Sequence, residues 1–76
     1  MEESKINEIL INILKVSKED TDKNLSMYDV AEWDSIAHMN LIVELENNMS
    51  FELTGDEIAE MTNFKNIKKI ILSKKL

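Results

Sequence analysis

The chain contains no cysteine and no proline, and only one glycine among its 76 residues. Without cysteine there can be no disulfide scaffold, no thiolate metal site and no cysteine nucleophile. Because glycine and proline supply most tight turns, their scarcity disfavours a protein built from β-hairpins. Leu, Ile, Lys and Glu are abundant instead, and this composition favours an all-α protein.

Aromatic residues are also few, with one Trp, one Tyr and two Phe, although 43% of the residues are hydrophobic. These proportions predict a small, mainly aliphatic core. A chain of this length forms a single domain, residues 1–76. It is close to the lower size at which a hydrophobic core suffices without disulfides or a structural metal.

Long apolar runs are absent as well, since none approaches the ~20 residues that a membrane span requires. The chain begins Met1-Glu2-Glu3, which is acidic where a signal peptide would be basic. We therefore expect a cytoplasmic protein that does not span a membrane.

The charge is uneven along the chain, with a net value of −6. All 15 acidic residues lie within residues 1–64, whereas the last 12 residues contain five lysines and no acid. Such an acidic body repels phosphate backbones, so we expect no nucleic-acid partner. The late lysines are expected to serve only solubility and the dipole of a C-terminal helix.

Apolar periodicity predicts helices at both ends of the chain. The first is expected to begin at Ser4 or Lys5 and to end at Val16. The residues predicted to form its buried face are Ile6, Ile9, Leu10, Ile13 and Leu14. Those predicted for the last helix are Phe64, Ile67, Ile70 and Ile71.

Two capping signals divide the second half of the chain. Thr54 and Glu57 have the spacing of a capping box, which predicts a short helix after Thr54. Asn63 is expected to cap the last helix. Together with a central helix, these signals predict a small all-α four-helix bundle. It has three longer helices, one short helix and a long loop between the first two.

That loop is predicted from Ser17 to Trp33, where periodicity is lost. Loops of this length in compact domains are usually functional or partly ordered. We expect Leu25, Met27 and Val30 to attach it to the core, with a short helical turn within it.

The same loop contains an incomplete calcium-binding pattern. Asp20, Asp22 and Asn24 match positions 1, 3 and 5 of an EF-hand. However, Leu25 replaces the glycine of position 6, and Ala31 replaces the bidentate glutamate of position 12. We therefore expect no metal site.

The central helix follows Asp34 and Ser35. Both residue types are strong N-caps, so Ser35 is expected at the positive end of a helix, where an anion is stabilised. The apolar residues of the helix cover an arc of roughly 220°, although a stripe of ~100° is usual for an amphipathic helix.

The apolar positions of this helix fall into two groups on a helical wheel. Leu41, Ile42, Leu45 and Met49 share one side, and Ile36, Met39 and Val43 share the other. We expect the first side to face the core and the second to form an exposed apolar patch. The alternative is a helix buried on all sides.

Asp34-Ser35-Ile36, followed by Leu41, Leu45, Glu46 and Met49, resembles the acyl and peptidyl carrier proteins. The resemblance covers about Leu25 to Leu72. Further segments that carry it are Ser50-Phe51-Glu52-Leu53 and Glu60-Met61-Thr62-Asn63-Phe64.

The resemblance implies that Ser35 carries 4′-phosphopantetheine and that Asp34 helps to engage the enzyme that attaches it and its metal. The implied function is to hold an acyl or aminoacyl group as a thioester, without enzymatic activity of its own. The implied partners are a phosphopantetheinyl transferase and an acyl or aminoacyl ligase or synthase, which meet a monomeric carrier. The partner-binding residues so implied are Ile36, Met39, Asn40, Val43, Glu46 and Asn47, and Glu46 and Glu44 form the charged rim of this surface.

Departures from the family pattern bear on the pathway. Asn40, Asn47 and Asn48 reduce the acidity of the central helix, and Trp33 before Asp34 resembles stand-alone carriers of dedicated pathways. A dedicated biosynthetic carrier is thus the first expectation and a carrier of general fatty-acid synthesis the second. A cofactor-free helical interaction module is the alternative from another class.

An enzymatic interpretation depends on Ser35 and His38, which lie three residues apart and could be neighbours on one helix. A hydrolase would also need an orienting third group, an oxyanion hole and a pocket, none of which is evident in the sequence. We expect His38 to be a packed or half-exposed side chain instead.

Overall fold

The computed structural model describes residues 2–49 and 52–74. It confirms the all-α bundle with three longer helices and one short one. These are α1 (Glu3–Leu14), α2 (Ser35–Asn47), α3 (Gly55–Glu60) and α4 (Phe64–Ser73). A 3₁₀ turn, Glu19–Asp22, lies within the long connection between α1 and α2. No helix in the described part of the chain is long and apolar enough to cross a membrane.

The first helix ends earlier than its apolar pattern predicted, at Leu14 rather than Val16. Lys15 adopts a left-handed backbone conformation, with φ 59° and ψ 34°, and its N–H donates to the Ile11 carbonyl at 3.0 Å. A left-handed residue that satisfies a terminal carbonyl is a common helix end. Val16 therefore belongs to the connection.

The core is formed by one apolar stripe from each of the three longer helices, with α1 packed most extensively against α2. Ile13 and Ile70, predicted to be buried, are only half-buried at the edges of their stripes. The buried residues of the stripes are Ile6, Ile9, Leu10, Leu14, Leu41, Ile42, Leu45, Phe64, Ile67 and Ile71.

The long connection is attached to the core as expected. Val30 is buried, and Leu25 and Met27 pack against the core from its edge. Its backbone also joins the link between α3 and α4. The Leu25 carbonyl accepts from the Phe64 N–H at 2.9 Å, and the Met27 N–H donates to the Thr62 carbonyl at 3.0 Å. These bonds hold the connection beside the start of α4.

Both predicted caps are present. Thr54 Oγ1 accepts from the Glu57 N–H at 3.2 Å, and the Thr54 N–H donates to Glu57 Oε1 at 2.9 Å. Asn63 Oδ1 accepts from the Asn66 N–H at 2.8 Å and so caps α4. These local bonds satisfy N–H groups that the helices themselves leave free.

Two of the late lysines bind other elements, so the expectation that this group serves only solubility and the helix dipole is wrong for them. Lys68 Nζ donates to the Thr21 carbonyl at 2.6 Å and lies 3.2 Å from Glu3 Oε2. Lys74 Nζ lies 2.9 Å from Glu57 Oε1. These long side chains join α4 to the connection through Lys68, and the residue after α4 to α3 through Lys74.

The Thr54 N–H, followed by the Lys74 ammonium, holds the pKa of Glu57 below its ordinary value of 4.5. Both groups favour the ionised carboxylate, which the unfolded chain stabilises less. The contribution of Glu57 to the free energy of unfolding is therefore present above pH 4.5. It is lost as the pH falls through the lower pKa that Glu57 has in the folded state.

Helix α2 is buried on one side only, as the two groups of apolar residues predicted. Leu41 and Leu45 are fully buried and Ile42 is 2% exposed, whereas Met39 and Val43 are 53% and 51% exposed. The alternative of a helix buried on all sides is excluded by this difference.

Truncation of the two sides should therefore have different effects on stability. Leu41→Ala and Leu45→Ala should each lower the free energy of unfolding by ~2–5 kcal/mol, because each leaves a cavity in the core. Met39→Ala and Val43→Ala should each change it by only about 0.5 kcal/mol, as surface substitutions do. Urea unfolding followed by circular dichroism measures all four. Equal losses on both sides would contradict this orientation of α2.

Candidate functional site

The start of α2 is capped by Asp34, and Ser35 is the first residue of the helix. Asp34 Oδ1 accepts from the Ala37 N–H at 2.8 Å, and the Asp34 carbonyl accepts from the His38 N–H at 2.9 Å. Of the two candidate caps, Asp34 thus takes the role. Ser35 is exposed at the positive end of the helix dipole.

An exposed apolar stripe begins immediately after Ser35. Ile36 is 74% exposed, and with Met39 and Val43 it forms what we call the α2 patch. The spacing of three and four residues places these side chains along one side of the helix. Asn40 and Asn47 are exposed on the same helix. The structure thus brings the patch next to the Ser35 hydroxyl, as the sequence predicted.

Glu46, predicted to lie in the charged rim of the patch, also binds the backbone. It is half-buried, and its Oε2 accepts from the Leu53 N–H at 2.8 Å. The carboxylate therefore helps to fix the segment that follows α2. Glu44 is also half-buried, and its carbonyl accepts from Asn48 Nδ2 at 2.8 Å. Ser50 and Phe51, which contributed to the family resemblance, lie outside the described residues.

Trp33 and His38 form a pair that sequence reasoning did not find. The Trp33 indole Nε1–H donates to His38 Nδ1 at 3.0 Å, and His38 Nε2 lies 3.0 Å from the Ile58 carbonyl oxygen. A carbonyl can only accept, so Nε2 carries the ring proton and Nδ1 is the acceptor. His38 is half-buried, as expected. Because both ring nitrogens have these partners, neither is available to activate Ser35.

The Trp33 side chain also connects the start of α2 to the core. It is 3% exposed, and its ring centroid lies 5.5 Å from that of Phe64 on α4. The available signal in the sequence was a single large aromatic residue at the end of a polar loop, directly before a cap. Such a residue is seldom left in water when it can pack against an apolar neighbour.

The calcium-like pattern has a structural use in this fold. Asp20 Oδ2 accepts from the Ser17 N–H at 3.1 Å, and Asp20 Oδ1 accepts from Lys23 Nζ at 3.2 Å. The bond from the Ser17 backbone, followed by that from Lys23, lowers the pKa of Asp20. Asn24 Oδ1 accepts from the Lys65 N–H at 2.9 Å, at the start of α4. Oxygens of the pattern thus stabilise the turn and the helix start.

The sequence matches no protein-family model, and no curated protein matches it. The function is therefore inferred from the Ser35 hydroxyl, the cap that positions it and the α2 patch.

Proposed function

We propose that the chain is a carrier protein that receives a 4′-phosphopantetheine group on Ser35 and presents an acyl or aminoacyl group to partner enzymes. The observation that carries the proposal is an exposed serine at the first position of α2, between an aspartate cap and an exposed apolar patch. The likeness of Asp34-Ser35-Ile36 to the carrier family, within an all-α bundle, supports the same function.

The residues around Ser35 fit a phosphodiester. The hydroxyl lies on the surface, where a transferase can reach it with coenzyme A. The Asp34 side chain accepts a hydrogen bond from the Ala37 N–H, and the Asp34 carbonyl accepts one from the His38 N–H. The earlier N–H groups of the same turn, on Ser35 and Ile36, are those that a phosphate on Ser35 can approach. A helix start stabilises such an anion through these N–H groups and the dipole.

Beyond the attachment site, a carrier needs a surface on which its partner enzymes dock, and it needs no catalytic group of its own. The prosthetic group, when attached, supplies the thiol that holds the acyl group as a thioester. Ser35 anchors it, and the α2 patch gives each partner enzyme an apolar surface beside that anchor. Interfaces concentrate their binding energy in a few such anchors, surrounded by polar residues. Here the surrounding residues include Asn40 and Asn47.

A dedicated biosynthetic pathway is the setting we favour. Exposed asparagines stand on α2 where a more acidic surface is typical of carriers in general fatty-acid synthesis, which is the second candidate. A helical interaction module without a cofactor is the candidate from another class, because an exposed apolar patch can also bind a protein partner directly. Mass distinguishes this module from a carrier, since only a carrier is modified.

Modification at Ser35 is tested by incubating the protein with a phosphopantetheinyl transferase, coenzyme A and Mg²⁺. Intact-mass spectrometry should detect the gain of one phosphopantetheine, and Ser35→Ala should gain none. Ser4→Ala is a matched control, because Ser4 is also exposed in the first turn of a helix; this variant should be modified like the wild type. Modification that persists in Ser35→Ala would overturn the assignment.

The two roles proposed for Asp34 can be separated by a pair of substitutions. Asparagine caps a helix about as well as aspartate, so Asp34→Asn should keep its stability, whereas Asp34→Ala should lose about 1 kcal/mol. If the carboxylate engages the transferase and its metal, both variants should be modified more slowly than the wild type. Thermal melts and modification rates are measured together. A wild-type rate for Asp34→Asn would restrict Asp34 to its capping role.

A further inference from the structure

The only tryptophan and the only histidine of the chain are hydrogen-bonded to each other, two residues before and three residues after Ser35. Trp33 is almost fully buried, and His38 lies on the first turn of α2. The two rings are tilted by 32°, with centroids 6.1 Å apart. The bond therefore ties the segment that leads into Ser35 to the helix that Ser35 begins.

This bond requires a neutral imidazole. His38 Nδ1 accepts from the Trp33 indole, and His38 Nε2 donates to the Ile58 carbonyl. In an imidazolium both ring nitrogens carry hydrogens, so two donors would face each other across the 3.0 Å between Trp33 and His38. The contact with Ile58 is compatible with both forms, because Nε2 is the donor in each. Protonation thus opposes the bond to Trp33 and spares the bond to α3.

We propose that the Trp33–His38 pair is a proton-operated lock on the segment that leads into Ser35, closed when His38 is neutral and opened when it is protonated. The lock goes beyond the proposed carrier function and does not depend on it. The buried indole N–H would lose its partner in the protonated state, and an unpaired buried donor is costly. Trp33 must then shift to let water or another acceptor reach this group.

Opening of the lock would affect the Asp34 cap of α2. The Trp33 N–H donates to the Val30 carbonyl, and the Asp34 N–H donates to the Glu32 carbonyl, both at 3.1 Å. These short-range bonds and the packing of Trp33 on Phe64 hold the segment before α2 in place. Release of the indole loosens this segment, which carries the Asp34 cap next to Ser35.

His38 is the member of the pair that can take up a proton, because an indole N–H does not titrate in water. Histidine is the only side chain that ordinarily changes its charge between pH 5 and 8. The charged residues on the elements packed around the pair are otherwise carboxylates and lysines. They are Glu32 and Asp34 before α2, Glu44 and Glu46 on α2, Asp56, Glu57 and Glu60 on α3, and Lys65, Lys68 and Lys69 on α4.

The test uses the unmodified full chain and the single indole N–H resonance in ¹⁵N–¹H NMR spectra. When the pH is lowered from 8 until the His38 ring resonances have shifted, the indole resonance should shift together with them, following one proton. Protection of the indole N–H against exchange, relative to free tryptophan at the same pH, should fall by up to about tenfold, the equilibrium effect of losing one hydrogen bond. Far-UV circular dichroism should stay constant over this range.

His38→Gln provides the matched control, because its amide oxygen can accept from the indole without titrating. Its indole resonance and protection should not change with pH. An indole N–H resonance that stays constant while the wild-type His38 ring is protonated would overturn the lock. This comparison is made on the wild type alone and needs no variant. The same pH response in His38→Gln, or loss of helicity together with the indole change, would also overturn it.

Discussion

Burial of Leu41, Ile42 and Leu45 against the rest of the core fixes how α2 is rotated, and the proposed site depends on that rotation. Successive side chains on a helix are about 100° apart, so a helix with these three inside must turn Met39 and Val43 outward. The α2 patch is therefore a direct consequence of core packing. Ser35 lies at the end of the same helix, so packing also decides which surface accompanies its hydroxyl.

The start of α2 is held more firmly than a cap alone would hold it. Asp34 satisfies the helix start, Trp33 packs on Phe64, and His38 reaches the Ile58 carbonyl on α3. α3 is in turn linked to the C-cap of α4 by the ion pair between Glu57 and Lys74. Elements distant in sequence thus support a short stretch around Ser35. Such support suits a site that must present one hydroxyl in a constant position.

Features that depend on neighbouring residues could be predicted from the sequence. The Thr54–Glu57 capping box and the Asn63 cap follow from residue types at fixed short spacings, and both are confirmed. The two sides of α2 follow from helical periodicity and are confirmed by their exposure. The predicted end of α1 was wrong by two residues, because an apolar pattern continues past a lysine that adopts a left-handed conformation.

Contacts between distant residues could not be predicted in this way. The bond from the Leu53 N–H to Glu46 and the bond from Lys68 to the Thr21 carbonyl join separate elements, whose approach is decided by packing of the whole chain. The Trp33–His38 pair spans only five residues, but it forms because the polar loop turns its last side chain into the core. No periodic pattern signals that turn.

We propose that Ser35 carries a phosphopantetheine group in the cells that make this protein. The most direct measurement is top-down mass spectrometry of the protein purified from those cells without added transferase. We predict an intact mass increased by one phosphopantetheine, with fragment ions that locate the addition at Ser35. An unmodified Ser35, in cells whose other carrier proteins are modified, would contradict the account.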